Sequence, residues 1–345
     1  MKREDAEARL EALWRRGQEF LGTRYAIMCG AMTWLSERNL VSALSNGGGF
    51  GVIACGAMTP ELLNAEIIAT SALTNEPFGV NLITMHPDLD ALIDVCAHNN
   101  VSHVIFAGGL PQAGKIKRAK NFGAKVMCFA PTHGVARRLI RLGADALMIE
   151  GAEAGGHIGP VSTNVLAQEI LPHIDEVPVF IAGGIGRGNA IVAFLEMGAS
   201  GCQLGTRFVC ATESIAHTDF KKAFQRATAR DAVPSVQLDP DFPVIPVRAI
   251  RNKATQEFQN TQREVIRKFR AGEMEQDEAQ LAIEHFWAGA LRRAAVDGDV
   301  ESGSLMAGQS VGMVTSEQPA ADILKELVDQ ATTAIATRGT EKARA

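Results

Sequence analysis

Residues 178–206 read PVFIAGGIGRGNAIVAFLEMGASGCQLGT, and the alternation within them decides the fold. A short apolar run (178–182) stops at a glycine pair, an amphipathic stretch (189–198) ends in glycine as a helix does, and a second apolar run (201–204) follows. That is a strand, a loop, a helix and another strand. Strands that read as unbroken apolar runs are buried on both faces, which is the situation inside a parallel sheet covered by helices.

The same unit recurs upstream. Strand-like runs fall at 24–29, 51–54, 78–83, 103–107, 124–130 and 145–150. With the two above there are eight. Helical stretches lie between them, among them TPELLNAEIIATSAL (59–73), LDALIDVCAHNN (89–100) and GVARRLIRLG (134–143). Eight strands alternating with helices at a spacing of roughly 20 to 30 residues predict an α/β chain folded as a (β/α)8 TIM barrel. An open dinucleotide-binding sheet is disfavoured because AGGIGRGNA (182–190) lacks the GxGxxG register and SNGGGFG (45–51) precedes its strand instead of following it.

The composition suits a large buried core: 345 residues, 46% apolar and 21% charged. A net charge of −5 sets up no field that would attract nucleic acid or an acidic membrane. The basic run KIKRAK (115–120) reads as a solvated helix face. The amino terminus mixes charges of both signs without a signal-like apolar stretch, and no run is long enough to span a bilayer, so the expected location is the cytoplasm. Six cysteines, Cys29, Cys55, Cys96, Cys128, Cys202 and Cys210, show no paired or metal-ligand spacing. They read as small core residues, and no metal site is expected.

In a barrel of this kind the chemistry sits where the carboxyl ends of the strands and their loops converge. Glycine crowds that rim: GAMT (30–33), CGAMT (55–59), GGL (108–110), EGAEAGGHIG (150–159), GGIGRGN (183–189) and GTRF (205–208). Gly183 and Gly184 after the seventh strand, with Gly205 and Thr206 after the eighth, occupy the loops from which barrels build phosphate sites. Exposed backbone N–H groups there would hold a dianion, so a phosphorylated ligand is expected. Asn81, Glu150 and Gln203 stand at strand ends where they would hydrogen-bond a planar ring rich in acceptors. Lys125 stands at the opposite, amino end of its strand and reads as a stabilising residue.

His157 lies in a glycine-framed loop that suits neither helix nor strand. Imidazole exchanges a proton near neutral pH, so a general base or a substrate hydrogen-bond partner is the expected role. His133, just after Thr132 as a helix cap, is a second candidate or simply the start of the next helix.

Four segments are expected: an N-terminal helix (1–20), the barrel (21–209), a helical addition or lid (210–315), and a C-terminal helix and tail (316–345). The addition contains HTDFKKAFQRAT (217–228), TQEFQNTQREVIRKFRAG (255–272) and DEAQLAIEHFWAGALRRAAVDG (277–298), around an irregular proline-rich interval at 231–250. It reads as a cover over one end of the barrel or as the contact surface of a homodimer; Phe286 and Trp287 suit either.

Taken together, EAGGHIG (153–159), the stretch 177–214 and RRAAVDGDVESGSLMAGQSVGMV (292–314) resemble the nitronate monooxygenases, formerly 2-nitropropane dioxygenases. They are similar as well to the flavin-dependent enoyl-acyl carrier protein reductases, and the likeness spans about residues 24–330. The resemblance implies an FMN-binding barrel. Ala31, Met32 and Thr33 would line the flavin. Asn81, Glu150, Gly155, Gly156, Gly183, Gly184, Gln203, Leu204, Gly205 and Thr206 would bind it, and His157 matches the active-site histidine. The implied reaction is oxidation of an alkyl nitronate with O2 to a carbonyl compound and nitrite. The alternative is reduction of an enoyl thioester or a quinone by NAD(P)H. The chain departs from the family at Cys29 and Ala31, where a Gln and a Pro are frequent. Its single tyrosine, Tyr25, leaves no tyrosine-lined nitronate pocket.

Overall fold

The computed structural model describes residues 1–242 and 244–342. Eight parallel strands form the barrel wall: β1 (Ile27–Cys29), β2 (Gly51–Ala54), β3 (Phe78–Ile83), β4 (His103–Ala107), β5 (Lys125–Phe129), β6 (Ala146–Glu150), then β8 (Val179–Ala182) and β9 (Gly201–Leu204). A two-residue strand, β7 (Gly156–His157), lies outside the wall. The wall runs β1-β9-β8-β6-β5-β4-β3-β2 and closes through a parallel bridge between Met28 and Phe50, where the Cys29 amide donates to the Phe50 carbonyl at 2.9 Å. The predicted (β/α)8 TIM barrel is the observed fold.

Helices follow the strands on the outside. They are α2 (Arg38–Asn46), α3 (Pro60–Leu73), α4 (Leu89–His98), α5 (Ala113–Asn121), α6 (His133–Arg141), α7 (Thr163–Ile170) and α8 (Gly188–Glu196), preceded by α1 (Arg3–Leu21). Local signals start several of them. Thr59, Thr132 and Ser162 accept hydrogen bonds from the amides of Leu62, Val135 and Val165, each satisfying a donor that the first turn leaves unpaired. The basic run on α5 is a solvated face, with Lys115 and Arg118 paired to Asp90 on α4.

The amino end of the barrel is sealed by α1. Its buried stripe Ala6, Leu10, Trp14, Gly17 and Leu21 follows the helical period, and Phe20 packs on His103 and Phe180 with ring centroids 5.1 and 5.9 Å away. His103 Nε2 donates to the Phe20 carbonyl at 2.8 Å, and burial pushes the ring's pKa down to about 4, so it is neutral. Lys125 donates to the Glu19 and Phe20 carbonyls. Both residues hold the closed end together and face away from any chemistry.

Residues 205–319 separate β9 from α12 (Ala320–Lys342), which packs against α8, α1 and α2 where the eighth barrel helix belongs. The inserted segment contains α9 (Thr218–Arg226), α10 (Lys253–Arg270) and α11 (Gln276–Ala295). It also carries a small antiparallel sheet that sequence reading missed: β10 (Ala232–Pro234), β11 (Val247–Ile250) and β12 (Leu305–Met306). The interval read as irregular therefore contains two strands. Trp287 packs on Phe258 and Phe286 within the insertion's own apolar cluster. Among the described residues no helix is long and apolar enough to cross a membrane.

Candidate active site

The loops at the carboxyl end of the barrel meet under the insertion. The contact between the two is itself a sheet: β7, from the loop after β6, pairs antiparallel with β11, setting His157 opposite Val247 and Gly156 opposite Arg248. The His157 loop, expected to be irregular, is therefore strand at His157 itself. β7 and β12 share one edge of β11 while β10 takes the other. The Ile158 amide extends the pairing to the Pro246 carbonyl at 2.9 Å.

His157 is exposed at this junction. Glu150, at the end of β6, lies within its electrostatic influence. Burial pushes the Glu150 carboxyl up to about 7, while His157 opposes the rise. A buried carboxyl raised in this way beside a histidine is a candidate carrier of a proton.

Asn81 and Gln203 are buried in the carboxyl halves of β3 and β9. Asn81 Nδ2 donates to the Ile105 carbonyl at 3.1 Å. Gln203 lies across from Gly30, where a Cβ would stand 3.6 Å from its Nε2. The turn after β1 holds Ala31, Met32 and Thr33 half-buried, braced by Ser36, whose hydroxyl accepts from the Met32 amide at 2.9 Å and donates to the Gly30 carbonyl at 3.0 Å. Met32 reaches over Gly205 and joins the first loop to the last. Leu204 is buried in the wall and contributes its carbonyl, which accepts from the Gly30 amide at 2.9 Å.

Gly183 and Gly184 have φ of 96° and 73°, a backbone region that side chains disfavour. Among the described residues the amides of Gly183, Gly184, Gly205 and Thr206 donate to no backbone carbonyl outside the regular elements. Thr206 Oγ1 accepts from the Gly308 amide of the insertion at 2.9 Å. Gly155 is glycine for packing: a Cβ there would lie 2.5 Å from the Gly308 nitrogen.

Three residues of the site were not legible in sequence. Glu153 accepts from the Thr163 amide and hydroxyl at 2.9 and 3.0 Å, anchoring the start of α7. Trp34 takes φ of 70° in the turn after β1, and its indole donates to the Ala288 carbonyl of α11 at 3.2 Å. Arg248 is buried, its Nε donating to the Ala152 carbonyl at 2.9 Å and its Nη1 to the Ala232 carbonyl at 2.7 Å. Trp34 and Arg248 depend on partners far away in sequence, and Glu153 on one ten residues on.

Other candidates lie elsewhere. His133 begins α6 and packs on His173, 5.2 Å between ring centroids. Burial pushes the thiols of Cys29 and Cys55 up to about 12, so neither is a thiolate at neutral pH. Among the described residues no three His, Cys, Asp or Glu side chains gather where they would hold a metal. A cleft of about 720 Å³ between α8 and α12, lined by Arg187, Lys325 and Gln330, lies apart from His157.

The fold and the mouth define a (β/α)8-barrel enzyme with a glycine-rich rim and a histidine carried on a loop that pairs with the insertion. The family model for nitronate monooxygenase matches residues 15–92 and 88–330, and the chain belongs to the nitronate monooxygenase family, as an oxidoreductase. The structure of FabK from Thermotoga maritima superimposes with a TM-score of 0.82 at 34% identity, over 95% of this chain and 98% of that one. Nitroalkane oxidase from Streptomyces ansochromogenes gives a TM-score of 0.75 at 27% identity, over 91% and 98%. A Mycobacterium tuberculosis relative, 27% identical over 92% of this chain and 96% of its own length, is a (3aS,4S,5R,7aS)-5-hydroxy-7a-methyl-1-oxo-octahydro-1H-indene-4-carboxyl-CoA dehydrogenase.

Proposed function

We propose that the chain is an FMN-dependent oxidoreductase of acyl thioesters, reducing the double bond of an enoyl thioester at the expense of NAD(P)H. One observation carries this reading: the likeness to FabK, higher in both identity and TM-score than that to nitroalkane oxidase. The coenzyme A thioester in the name of the Mycobacterium tuberculosis relative is of the same substrate class.

The residues present fit FMN. The amides of Gly183, Gly184, Gly205 and Thr206 form a cradle for a phosphate dianion, and at Gly205 a Cβ would project into that space with only Met32 near it. Ala31, Met32 and Thr33 would lie along the ring, with Asn81, Glu150 and Gln203 at its polar edges and Gly155 and Gly156 shaping the histidine side. FMN supplies the electron chemistry when bound.

The chain's own part is binding and proton handling. His157 is the group that would deliver a proton to the substrate's α-carbon, with the buried Glu150 carboxyl in its field. The insertion, which pairs with the His157 loop, would cover the reacting carbon once substrate is bound.

A second reading, oxidation of an alkyl nitronate with O2, is supported by the nitroalkane oxidase likeness. Against its tyrosine-lined form, Tyr25 precedes β1 and packs on Trp14 at the closed end. Anaerobic mixing of the purified protein with NADPH, NADH and an alkyl nitronate in turn, following the flavin's visible band, separates the two. Bleaching by a nicotinamide, with reoxidation by an enoyl thioester, is the expected result. Bleaching by nitronate alone would select the second reading, and absence of flavin after reconstitution would remove both.

A further inference from the structure

We propose that Arg248, a residue of the insertion, is a positioning residue for His157: its guanidinium clamps the histidine loop to the small sheet and so sets where the imidazole stands over the barrel mouth. This rests on the reading of His157 as the group that meets substrate.

The loop needs such a clamp. β7 is two residues long, and a ribbon that short is marginal by itself. Gly155 and Gly156 precede His157, and glycine adds backbone freedom at the place where the imidazole must be fixed. Arg248 lies opposite Gly156 and one residue along from Val247, so its side chain projects to the other face of β11 from the one His157 shares with Val247. From there it reaches Ala152, at the start of the histidine loop, and Ala232, on β10 across the sheet.

The loop is thereby held in three places. Arg248 takes Ala152, the Gln309 amide donates to the Glu153 carbonyl at 2.9 Å, and β11 pairs with Gly156 and His157. All three partners belong to the insertion. Among the described residues Arg248 forms no ion pair; its guanidinium is spent on carbonyl oxygens, and burial lowers its pKa against the charge of Glu153. A buried cation costs solvation whatever its partners. What it returns is geometry, because a planar guanidinium fixes two acceptors at set angles and a lysine ammonium does not.

The test uses flavin-loaded protein carrying Arg248→Met, which keeps the stem without donors, and Arg248→Lys, which keeps the charge without the fork. Hydrogen–deuterium exchange is read over 150–160 and over β2 to β4, alongside flavin content, kcat and KM. We expect exchange over 150–160 to rise several-fold while the barrel strands keep their protection and the flavin stays bound. kcat should fall by roughly 10²-fold with KM little changed, the cost typical of a small misplacement, and lysine should rescue neither. Should the methionine variant not fold, the lysine variant alone decides. Unchanged exchange over 150–160, loosening spread evenly over the chain, or full recovery with lysine would overturn the proposal. The exchange readout does not depend on turnover, so a His157 reading that fails on activity leaves the clamp separately tested.

Discussion

His157 and Val247 face each other across an antiparallel ribbon, one from a barrel loop and the other from the insertion. Val247 is buried with Phe258, Ile283 and Trp287. The position of the imidazole is therefore set by a core that does not belong to the barrel. A cover that only excluded water would not need to share a sheet with the residue it covers.

His157→Ala should leave the fold and the flavin in place, since the pairing of β7 with β11 is made by the backbone and survives the substitution. Turnover of the enoyl thioester should slow by about 10²- to 10⁴-fold, the range for losing a proton-transfer group. Steady-state kinetics at saturating NAD(P)H measures this, and an undiminished rate would falsify the assignment.

Gly184→Val should expel the flavin. With φ of 73° a branched side chain is strained at this position, and its Cβ would meet that of Glu153 at 3.0 Å. The expected product is a folded, colourless protein: far-UV circular dichroism like that of the parent with no visible flavin band. Stoichiometric flavin in the variant would show that the cradle lies elsewhere.

Glu150 makes stability depend on pH in a direction opposite to that of a salt-bridged carboxylate. Its carboxyl is pushed up to about 7 from 4.5, so between those values the folded state holds a proton that the unfolded state has lost. Stability from this group falls as pH rises through that window and is lowest above it. Glu150→Gln removes the dependence. In urea denaturation of the flavin-free protein, the variant should gain on the parent between pH 5 and pH 8, by at most about 3 kcal/mol. A gap that shrinks with rising pH would contradict the sign.

Gly17→Ala tests the closed end. A Cβ there would lie 2.0 Å from the Ser200 carbonyl oxygen, so α1 must shift off the barrel. We expect a loss of about 1–3 kcal/mol, seen as a lower urea midpoint, with flavin content and kcat retained because the site is at the other end. A parallel loss of kcat would mean that the two ends are coupled.

Much of the site was readable because a barrel converts sequence position into spatial position. Asn81 and Gln203 lie in the carboxyl halves of their strands, Glu150 ends one, and the pairs Gly183–Gly184 and Gly205–Thr206 follow strands, and strand ends of one barrel must converge. The close approach of Ala307–Gly308 to Gly155 was not legible, because that stretch lies about 150 residues further along the chain. Arg248 was invisible: it sits in a proline-rich interval whose two strands have almost no periodicity to detect. Trp34 was passed over because nothing in its neighbours announces a positive φ or a partner on α11.

Local periodicity and glycine punctuation, which act over a few residues, were enough to determine an eight-stranded barrel and to put the loop carrying His157 at the carboxyl end of its strands. The tertiary structure decided how that loop is held: that GGH becomes a strand, that Val247 stands opposite the histidine, and that Arg248 reaches Ala152. The physical reason is that a two-residue ribbon has too little local preference to form by itself. It forms only where packing of the insertion's core has already brought β11 to the mouth of the barrel.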